Sequence, residues 1–209
     1  MTYSAIILSG GESTRFGQDK GLFKVFQQPL ISFVIEKVKP FIDELLIVTN
    51  QKSVNAYYSL FPSIRILIDE YNFRGALAGI ATGLNHAHGT YSYILPSDTP
   101  LLSAKILALL RDSSSNHDAV IPRWPSGYLE PLQAIYHTQA TTRAALLSIQ
   151  EENYRLRNMI SHLEDVKYVS TTTLTQYDPN LRTFFNINQV DDLQKIRHLL
   201  TEEKHAERR

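Results

Sequence analysis

The chain has 209 residues, and 21 Lys and Arg are balanced by 21 Asp and Glu, so its formal net charge is zero. Hydrophobic residues make up 43% and charged residues 20%, proportions that are typical of a globular enzyme and exclude a disordered chain. The charge balance argues against broad, charge-driven binding of nucleic acid, although it leaves room for a local basic pocket. The length favours a single domain with one core.

Cysteine is absent, which excludes a disulfide framework and any thiolate metal site. The first residues, MTYSAIILSGG, lack the basic leader and the long apolar run of a signal peptide. No stretch reaches the ~18 apolar residues of a membrane span. We therefore expect a cytoplasmic protein with neither membrane nor nucleic acid among its partners.

Short runs rich in Ile, Leu and Val alternate with helix-period segments in the first half of the chain. Continuous apolar runs of this kind are typical of strands buried on both faces of a parallel sheet. The predicted strands are Tyr3–Ser9, Glu44–Thr49, Ile64–Asp69 and Tyr91–Ser97. The predicted helices lie in PLISFVIEKVKP, GIATGLNHAHG and SAKILALLRDSSS, the last with Ser103 as its N-cap.

The second half is less regular. Its predicted strands are Asp118–Pro122, Leu132–His137, Val166–Ser170 and Phe184–Asn188. Its predicted helices are Thr138–Gln150, Tyr154–Leu163 and Asp191–Glu203. The alternation of strands and helices predicts a layered α/β architecture with right-handed crossovers and a mostly parallel sheet, and no internal repeat or linker divides it.

A glycine pair and two cations follow the first predicted strand, in LSGGESTRFGQDK. Glycines after a strand let backbone N–H groups approach an anion, and Arg15 and Lys20 can neutralise phosphate oxygens. The alternative is an ordinary strand-to-helix turn with surface cations. The spacing matches neither of the phosphate loops GxxxxGK[ST] and GxGxxG.

A carboxylate ends the fourth predicted strand, in LPSDTPLL. Asp98 there is well placed to hold Mg²⁺, which prefers oxygen ligands. The alternative is that Asp98 or Ser97 caps a helix that starts after Pro100. The strand-end position, beside a phosphate loop on a sister strand, favours the metal site.

Two further stretches offer a binding surface. The small residues of GALAGIATGL can form the floor of a ring or phosphate site, or they can serve close packing of a helix on the sheet. Asn186 and Asn188 are two apart on a predicted strand and so point to one side, where they can line a polar cleft. They can also cap the following helix. Neither a histidine metal motif nor a GxSxG nucleophile motif occurs.

Taken in order, the stretches LSGGESTRFGQDK, GALAGI, PSDTPLL, EPLQAIY and NIN resemble the molybdenum cofactor guanylyltransferases, within the wider nucleotidyltransferase group. The resemblance implies a three-layer Rossmann-like nucleotidyltransferase fold. It implies a single domain, residues 1–209, with a nucleotide-binding half at 1–115 and an acceptor-binding half at 116–200. It also implies transfer of GMP from GTP to the phosphate of molybdopterin with release of diphosphate, Mg²⁺ as cofactor, and molybdoenzymes or their chaperones as further partners.

The resemblance also assigns roles to residues. Arg15, Lys20 and Asp98 would be catalytic, with Asp98 the magnesium ligand. The substrate-binding residues would be Leu8, Ser9, Gly10, Gly11, Lys20, Asn50, Asp69, Asp98, Asn186 and Asn188. Among them Asn50 and Asp69 would face the nucleoside, and the two C-terminal asparagines the pterin phosphate and metal. Because the attacking phosphate is already anionic near neutral pH, positioning and charge neutralisation suffice without a general base.

Two alternatives stay open from the sequence. A sister nucleotidyltransferase that uses CTP or a sugar-phosphate acceptor would have the same glycine loop and aspartate. A non-catalytic nucleotide sensor on the same fold is a second alternative, since a fold does not define a function. Asn50, Asp69 and residues 75–80 are where the base would be selected.

Overall fold

The computed structural model describes residues 1–10, 19–187, 189 and 191–206. The strands among them are β1 (Tyr3–Leu8), β2 (Lys24–Val25), β3 (Gln28–Pro29), β4 (Glu44–Thr49), β5 (Arg65–Ile68), β6 (Tyr91–Pro96), β7 (Ala119–Arg123), β8 (Ala134–His137) and β9 (Val166–Ser170). Seven of these strands form one sheet in the order β5-β4-β1-β6-β8-β7-β9, and β2 and β3 form a separate small hairpin.

The helices in the described residues are α1 (Leu30–Val38), α2 (Val54–Leu60), α3 (Ala76–His86), α4 (Ala104–Asp112), α5 (Thr138–Gln150), α6 (Leu156–Ser161), α7 (Thr171–Leu174) and α8 (Asp192–Ala206). Short 3₁₀ turns cover Lys20–Leu22, Lys39–Phe41 and Arg182–Phe184. Within this described part of the chain, no helix is both long and apolar enough to cross a bilayer.

The sheet is mostly parallel, and β1 is one of its inner strands. β1 pairs in parallel with β4 on one side and β6 on the other, so that Leu8 lies opposite Val48 and Pro96. β5 and β9 also pair in parallel, with β4 and β7, whereas β8 runs antiparallel to both β6 and β7. The carboxyl ends of β1, β4, β5 and β6 therefore meet at one edge of the sheet.

Helices cover both faces of this sheet, because alternate side chains of each strand point to opposite sides. Ile7 packs in a cluster with side chains of α1, α2 and α4, such as Ile31 and Leu107. Its neighbour Ile6 packs on the other face with side chains of α3, α5 and α6, such as Ile80 and Ala144. The result is three layers, helix–sheet–helix, which confirms the predicted α/β fold class.

One predicted strand is wrong. Of the segment Phe184–Asn188, Phe184 closes a 3₁₀ turn, residues 185–187 are irregular, and Asn188 lies outside the described residues. The nearby strand β6 is already paired on both sides, with β1 and β8, so its ladder has no free edge. The segment is held instead by the buried side chain of Ile187 and by a single bond from Ile187 N to Asp98 O, over 3.1 Å.

Some helices also differ from prediction, and the short α7 (Thr171–Leu174) was not predicted. Tyr154–Leu163 was expected to be helical, but the helix is limited to Leu156–Ser161. Helix α2 was not predicted, because it has seven residues, no side-chain cap, and only Val54 and Tyr57 buried. Short helices of this kind depend on tertiary packing for their stability.

Candidate active site

A broad cavity of about 540 Å³ opens at the carboxyl edge where β1, β4, β5 and β6 end. Its wall includes the last residues of these strands and the residues that follow them, which is where ligands bind in open α/β sheets. The chain thereby brings Gly10, Lys20, Asn50, Asp69 and Asp98 to one place.

Lys20 and Asp98 form an ion pair in this cavity. Lys20 Nζ donates to Asp98 Oδ2 over 3.2 Å, and the two side chains are only 23% and 18% exposed. Burial raises the pKa of Asp98 above its ordinary value, and the Lys20 ammonium acts in the opposite direction. The alternative role of Asp98 or Ser97 as a helix cap is wrong, because α4 begins at Ala104 and Ser103 accepts its capping bond from Ile106 N.

Gly10 lies against Asn50, and the close fit between them favours a glycine. Gly10 has φ of +156°, and a Cβ at this position would lie 3.0 Å from Asn50 N. Asn50 Nδ2 donates to Gly10 O over 3.1 Å, while Asn50 Oδ1 accepts from the backbone N–H groups of Lys52 and Ser53. Asn50 thus holds the start of the glycine loop against the end of β4.

Asp69 follows β5 and is held by two contacts to the same oxygen. Its Oδ1 accepts from Tyr71 N over 3.1 Å and from the Thr82 hydroxyl over 3.2 Å. Partial burial raises the pKa of this carboxyl. Thr82 belongs to α3, so the contact also joins the end of β5 to the helix that follows the glycine-rich stretch.

Leu8 and Ser9 also line the cavity, at the end of β1. Ser9 N donates to Val48 O over 2.8 Å, and Ser97 N donates to Leu8 O over 3.1 Å. The hydroxyl of Ser9 donates to Asp19 Oδ1 over 2.8 Å, and Asp19 lines the cavity as well. Any contact of Ser9 with a ligand would therefore come from its backbone.

The C-terminal asparagines are only partly located. Asn186 is exposed and does not line the cavity, although its neighbour Ile187 donates to the backbone oxygen of Asp98. Gly11, Arg15 and Asn188 lie outside the described residues. Their assigned roles stay predictions.

Several residues of the site were not predicted from the sequence. Tyr57 lies below the cavity floor, and Phe73, Arg74 and Leu132 line the cavity itself. Phe73 stacks on Tyr154 with ring centroids 4.0 Å apart and an angle of 9° between the rings. The helical spacing of Val54, Tyr57 and Tyr58 could have indicated α2, whereas no sequence signal marks Phe73.

The donor set fits a divalent cation that arrives with phosphate ligands. No group of three or more His, Cys, Asp or Glu side chains is assembled in the described parts of the chain. Mg²⁺ does not need such a group, because it keeps several waters and is bound through one or two carboxylates and substrate phosphates. Asp98 supplies one carboxylate at the right edge of the sheet.

A glycine loop, a cation and a carboxylate, gathered at the carboxyl edge of a mostly parallel sheet, define a nucleotide-binding α/β protein. Residues 5–166 match the family model described as "MobA-like NTP transferase domain", which covers more than half of the chain. The chain belongs to this family and is a nucleotidyltransferase, as the resemblance predicted.

Individual relatives cover almost the whole chain. A probable molybdenum cofactor guanylyltransferase of Natranaerobius thermophilus is 32% identical over 202 residues, which span 94% of this chain and 96% of the relative. One from Methanosarcina mazei is 30% identical, with 92% and 89% covered. The crystal structure of molybdopterin-guanine dinucleotide biosynthesis protein A from Archaeoglobus fulgidus superposes with a TM-score of 0.79 at 25% identity, over 95% of this chain and 99% of that one.

Proposed function

We propose that the chain transfers GMP from GTP to the phosphate of molybdopterin and releases diphosphate. The observation that carries the proposal is the ion pair between Lys20 and Asp98, which supplies an ammonium group suited to phosphate beside a carboxylate suited to a metal ion. The names of the relatives in Natranaerobius thermophilus and Methanosarcina mazei support guanylyl transfer to the molybdenum cofactor.

The nucleotide would occupy the cavity at the carboxyl edge. The backbone N–H groups of Gly10 and Gly11 would approach the phosphates, and Lys20 and Arg15 would neutralise their charge. Leu8 and Ser9 would form the wall at the end of β1. Asn50 and Asp69 would face the guanosine, because they lie at the ends of the neighbouring strands β4 and β5.

Asp98 would hold Mg²⁺ together with the nucleotide phosphates. The cation, when bound, neutralises phosphate charge that builds up during the transfer. For the cation to bind, the ion pair between Asp98 and Lys20 would have to weaken, and the Lys20 ammonium would then be available to the phosphates. Stabilisation of developing charge by fixed donors is the main catalytic effect available to this site.

The acceptor would lie toward residues 116–200, and the whole chain would act as one domain, with residues 1–115 as its nucleotide-binding half. Asn186 and Asn188 would contact the pterin phosphate near the metal, since the backbone of this segment is bonded to Asp98. The acceptor phosphate is anionic near neutral pH and needs no general base, only in-line placement. Molybdoenzymes or their chaperones would receive the product.

Nucleotide selectivity provides the direct test. The shift in melting temperature with GTP, CTP, ATP and UTP should be compared in the presence of Mg²⁺, since a bound ligand raises apparent stability by mass action. We expect stabilisation by GTP above the other three. Stabilisation by CTP without GTP would contradict the guanylyl assignment and favour the sister cytidylyl enzyme.

A further inference from the structure

A buried cluster of polar side chains lies at the floor of the cavity. It comprises Ser9, Asp19 and Ser97, which line the cavity, and Tyr57, and we call it the floor cluster. Ser9 Oγ is 2.8 Å from Asp19 Oδ1 and 2.9 Å from Ser97 Oγ, and it is also hydrogen-bonded to the Tyr57 hydroxyl. Asp19 is only 8% exposed and Tyr57 is fully buried.

The cluster touches the chain next to each located member of the phosphate site. Ser9 immediately precedes Gly10, and Ser97 immediately precedes Asp98. Asp19 precedes Lys20 and caps the 3₁₀ turn that carries it, by accepting from Gly21 N over 3.0 Å. Tyr57 alone comes from elsewhere, from helix α2.

The number of available protons determines which group donates and which accepts in each hydrogen bond of this cluster. The Ser9 hydroxyl has one proton and two lone pairs, and an ionised carboxylate only accepts. Ser9 therefore donates to Asp19 and accepts from Tyr57 and Ser97. Burial and the negative charge of Asp19 both raise the pKa of Tyr57, which keeps the phenol protonated as a donor.

The backbone of Gly21 is tightly packed against this cluster. A Cβ on Gly21 would lie 2.6 Å from both Ser9 Oγ and the Tyr57 hydroxyl, so the backbone next to Lys20 rests directly on the cluster. The second oxygen of Asp19 is buried and has no hydrogen-bond partner in the described structure. An unsatisfied buried carboxylate oxygen costs stability, which indicates that the carboxylate serves a purpose other than stability.

We propose that Asp19 and Tyr57 are positioning residues, which act through Ser9 to hold Lys20 in place beside Asp98 for contact with a polyphosphate. The proposal deepens the proposed function and rests on one part of it, the contact of Lys20 with phosphate. It does not depend on the base of the nucleotide or on the acceptor.

The test is a double-mutant cycle with inorganic tripolyphosphate as the probe, measured by titration calorimetry in magnesium buffer. We expect Lys20→Ala to weaken binding by about tenfold or more and Tyr57→Phe by about fivefold. Because Tyr57 acts through Lys20, Tyr57→Phe should cause no further loss when Lys20→Ala is already present. Asp19→Ala should weaken binding at least as much as Tyr57→Phe. Asp19→Asn keeps an acceptor for Gly21 N, so it should bind tripolyphosphate more tightly than Asp19→Ala does.

Tyr93→Phe is the matched control. Tyr93 is fully buried in the same apolar cluster as Tyr57, and its hydroxyl donates to Leu107 O over 2.8 Å. Removing this hydroxyl also deletes one buried hydrogen bond, but far from Lys20. We expect Tyr93→Phe to lower thermal stability about as much as Tyr57→Phe and to leave tripolyphosphate affinity unchanged.

Turnover separates positioning from a purely structural role. With the complete set of substrates, Tyr57→Phe should lower kcat by about fivefold while the KM for the acceptor stays within about twofold. Wild-type affinity in Tyr57→Phe, additive losses with Lys20→Ala, or no tripolyphosphate binding by the wild type would each overturn the proposal. If the losses from Tyr57→Phe and Lys20→Ala are not additive but the wild type does not turn over GTP, the positioning role would be supported and the proposed function contradicted.

Discussion

Lys20 and Asp98 are 78 residues apart in the chain, yet Lys20 Nζ and Asp98 Oδ2 are joined by a bond of 3.2 Å across the ends of β1 and β6. The pair balances two opposite charges inside the cavity. In the proposed function, a polyphosphate and its cation would replace both partners of this pair, with the phosphates on Lys20 and the cation on Asp98.

Replacing Lys20 by Ala should lower turnover by about 10²–10³, the usual effect of removing one fixed charge-stabilising donor. The measurement is the steady-state rate of diphosphate release. Lys167→Ala is the matched control, because Lys167 is an exposed lysine on β9, at the far edge of the sheet from the cavity. Wild-type turnover in Lys20→Ala would contradict the assignment of Lys20 to the phosphates.

Replacing Asp69 by Ala should weaken GTP binding by about tenfold and leave binding of inorganic tripolyphosphate unchanged. The reason is that Asp69 lies at the end of β5, where it would accept hydrogen bonds from the guanosine and none from phosphates. Calorimetric titration with both ligands separates the two effects. Equal weakening for both would place Asp69 at the phosphates or show a general loss of structure, which Asp112→Ala, an exposed aspartate on α4, controls for.

Replacing Gly21 by Ala should lower turnover and stability together. The new methyl group would lie 2.6 Å from Ser9 Oγ and from the Tyr57 hydroxyl, so the turn that carries Lys20 must shift. We expect a loss of about 1–3 kcal/mol in the free energy of unfolding, as for other overpacked sites. Gly127→Ala provides a control for the methyl group, because a Cβ there meets nothing within 4 Å, although its φ of +83° adds strain of its own. A fully active Gly21→Ala would contradict the close packing.

Glu130 should keep its proton to a higher pH than an ordinary glutamate. Burial raises its pKa above 4.5, and the Trp124 indole N–H, which donates to Glu130 Oε1 over 2.7 Å, acts in the opposite direction. Since the folded state binds the proton more tightly than the unfolded one, the contribution of Glu130 to stability is complete below its unfolded pKa and is lost as the pH rises through its folded pKa.

Trp124 is the only tryptophan in the chain, so its fluorescence reports on this carboxyl directly. We expect an emission change with a midpoint above pH 4.5 that disappears in Glu130→Gln. A midpoint at or below pH 4.5 in the wild type would contradict the raised pKa, and a transition that persists in Glu130→Gln would assign it to another group.

The inner strands of the main sheet, such as β1 and β6, were predictable because each is a short apolar run that both faces of the sheet bury. The bounds of β4 and β9 match the prediction at both ends. The 3₁₀ turn of Arg182–Phe184 was not predictable, since the alternation of residues 184–188 is typical of a strand, and the fact that β6 is already paired with β1 and β8 is not visible in the sequence.

In the candidate site, sequence position was informative for residues at strand ends. Gly10, Asn50, Asp69 and Asp98 follow four strands, and the topology alone brings them to one edge. Tyr57 could not be assigned in this way, because its hydroxyl reaches Ser9 from a helix on the face of the sheet. A contact of that kind depends on how α2 packs and leaves no local pattern in the chain.

The most direct test of the whole account is diphosphate release from GTP in the presence of Mg²⁺, measured with and without molybdopterin. We predict release only when molybdopterin is present, and none from the variant Asp98→Ala, which lacks the carboxylate for the metal. Release from CTP in place of GTP, release without any acceptor, or wild-type release by Asp98→Ala would contradict it.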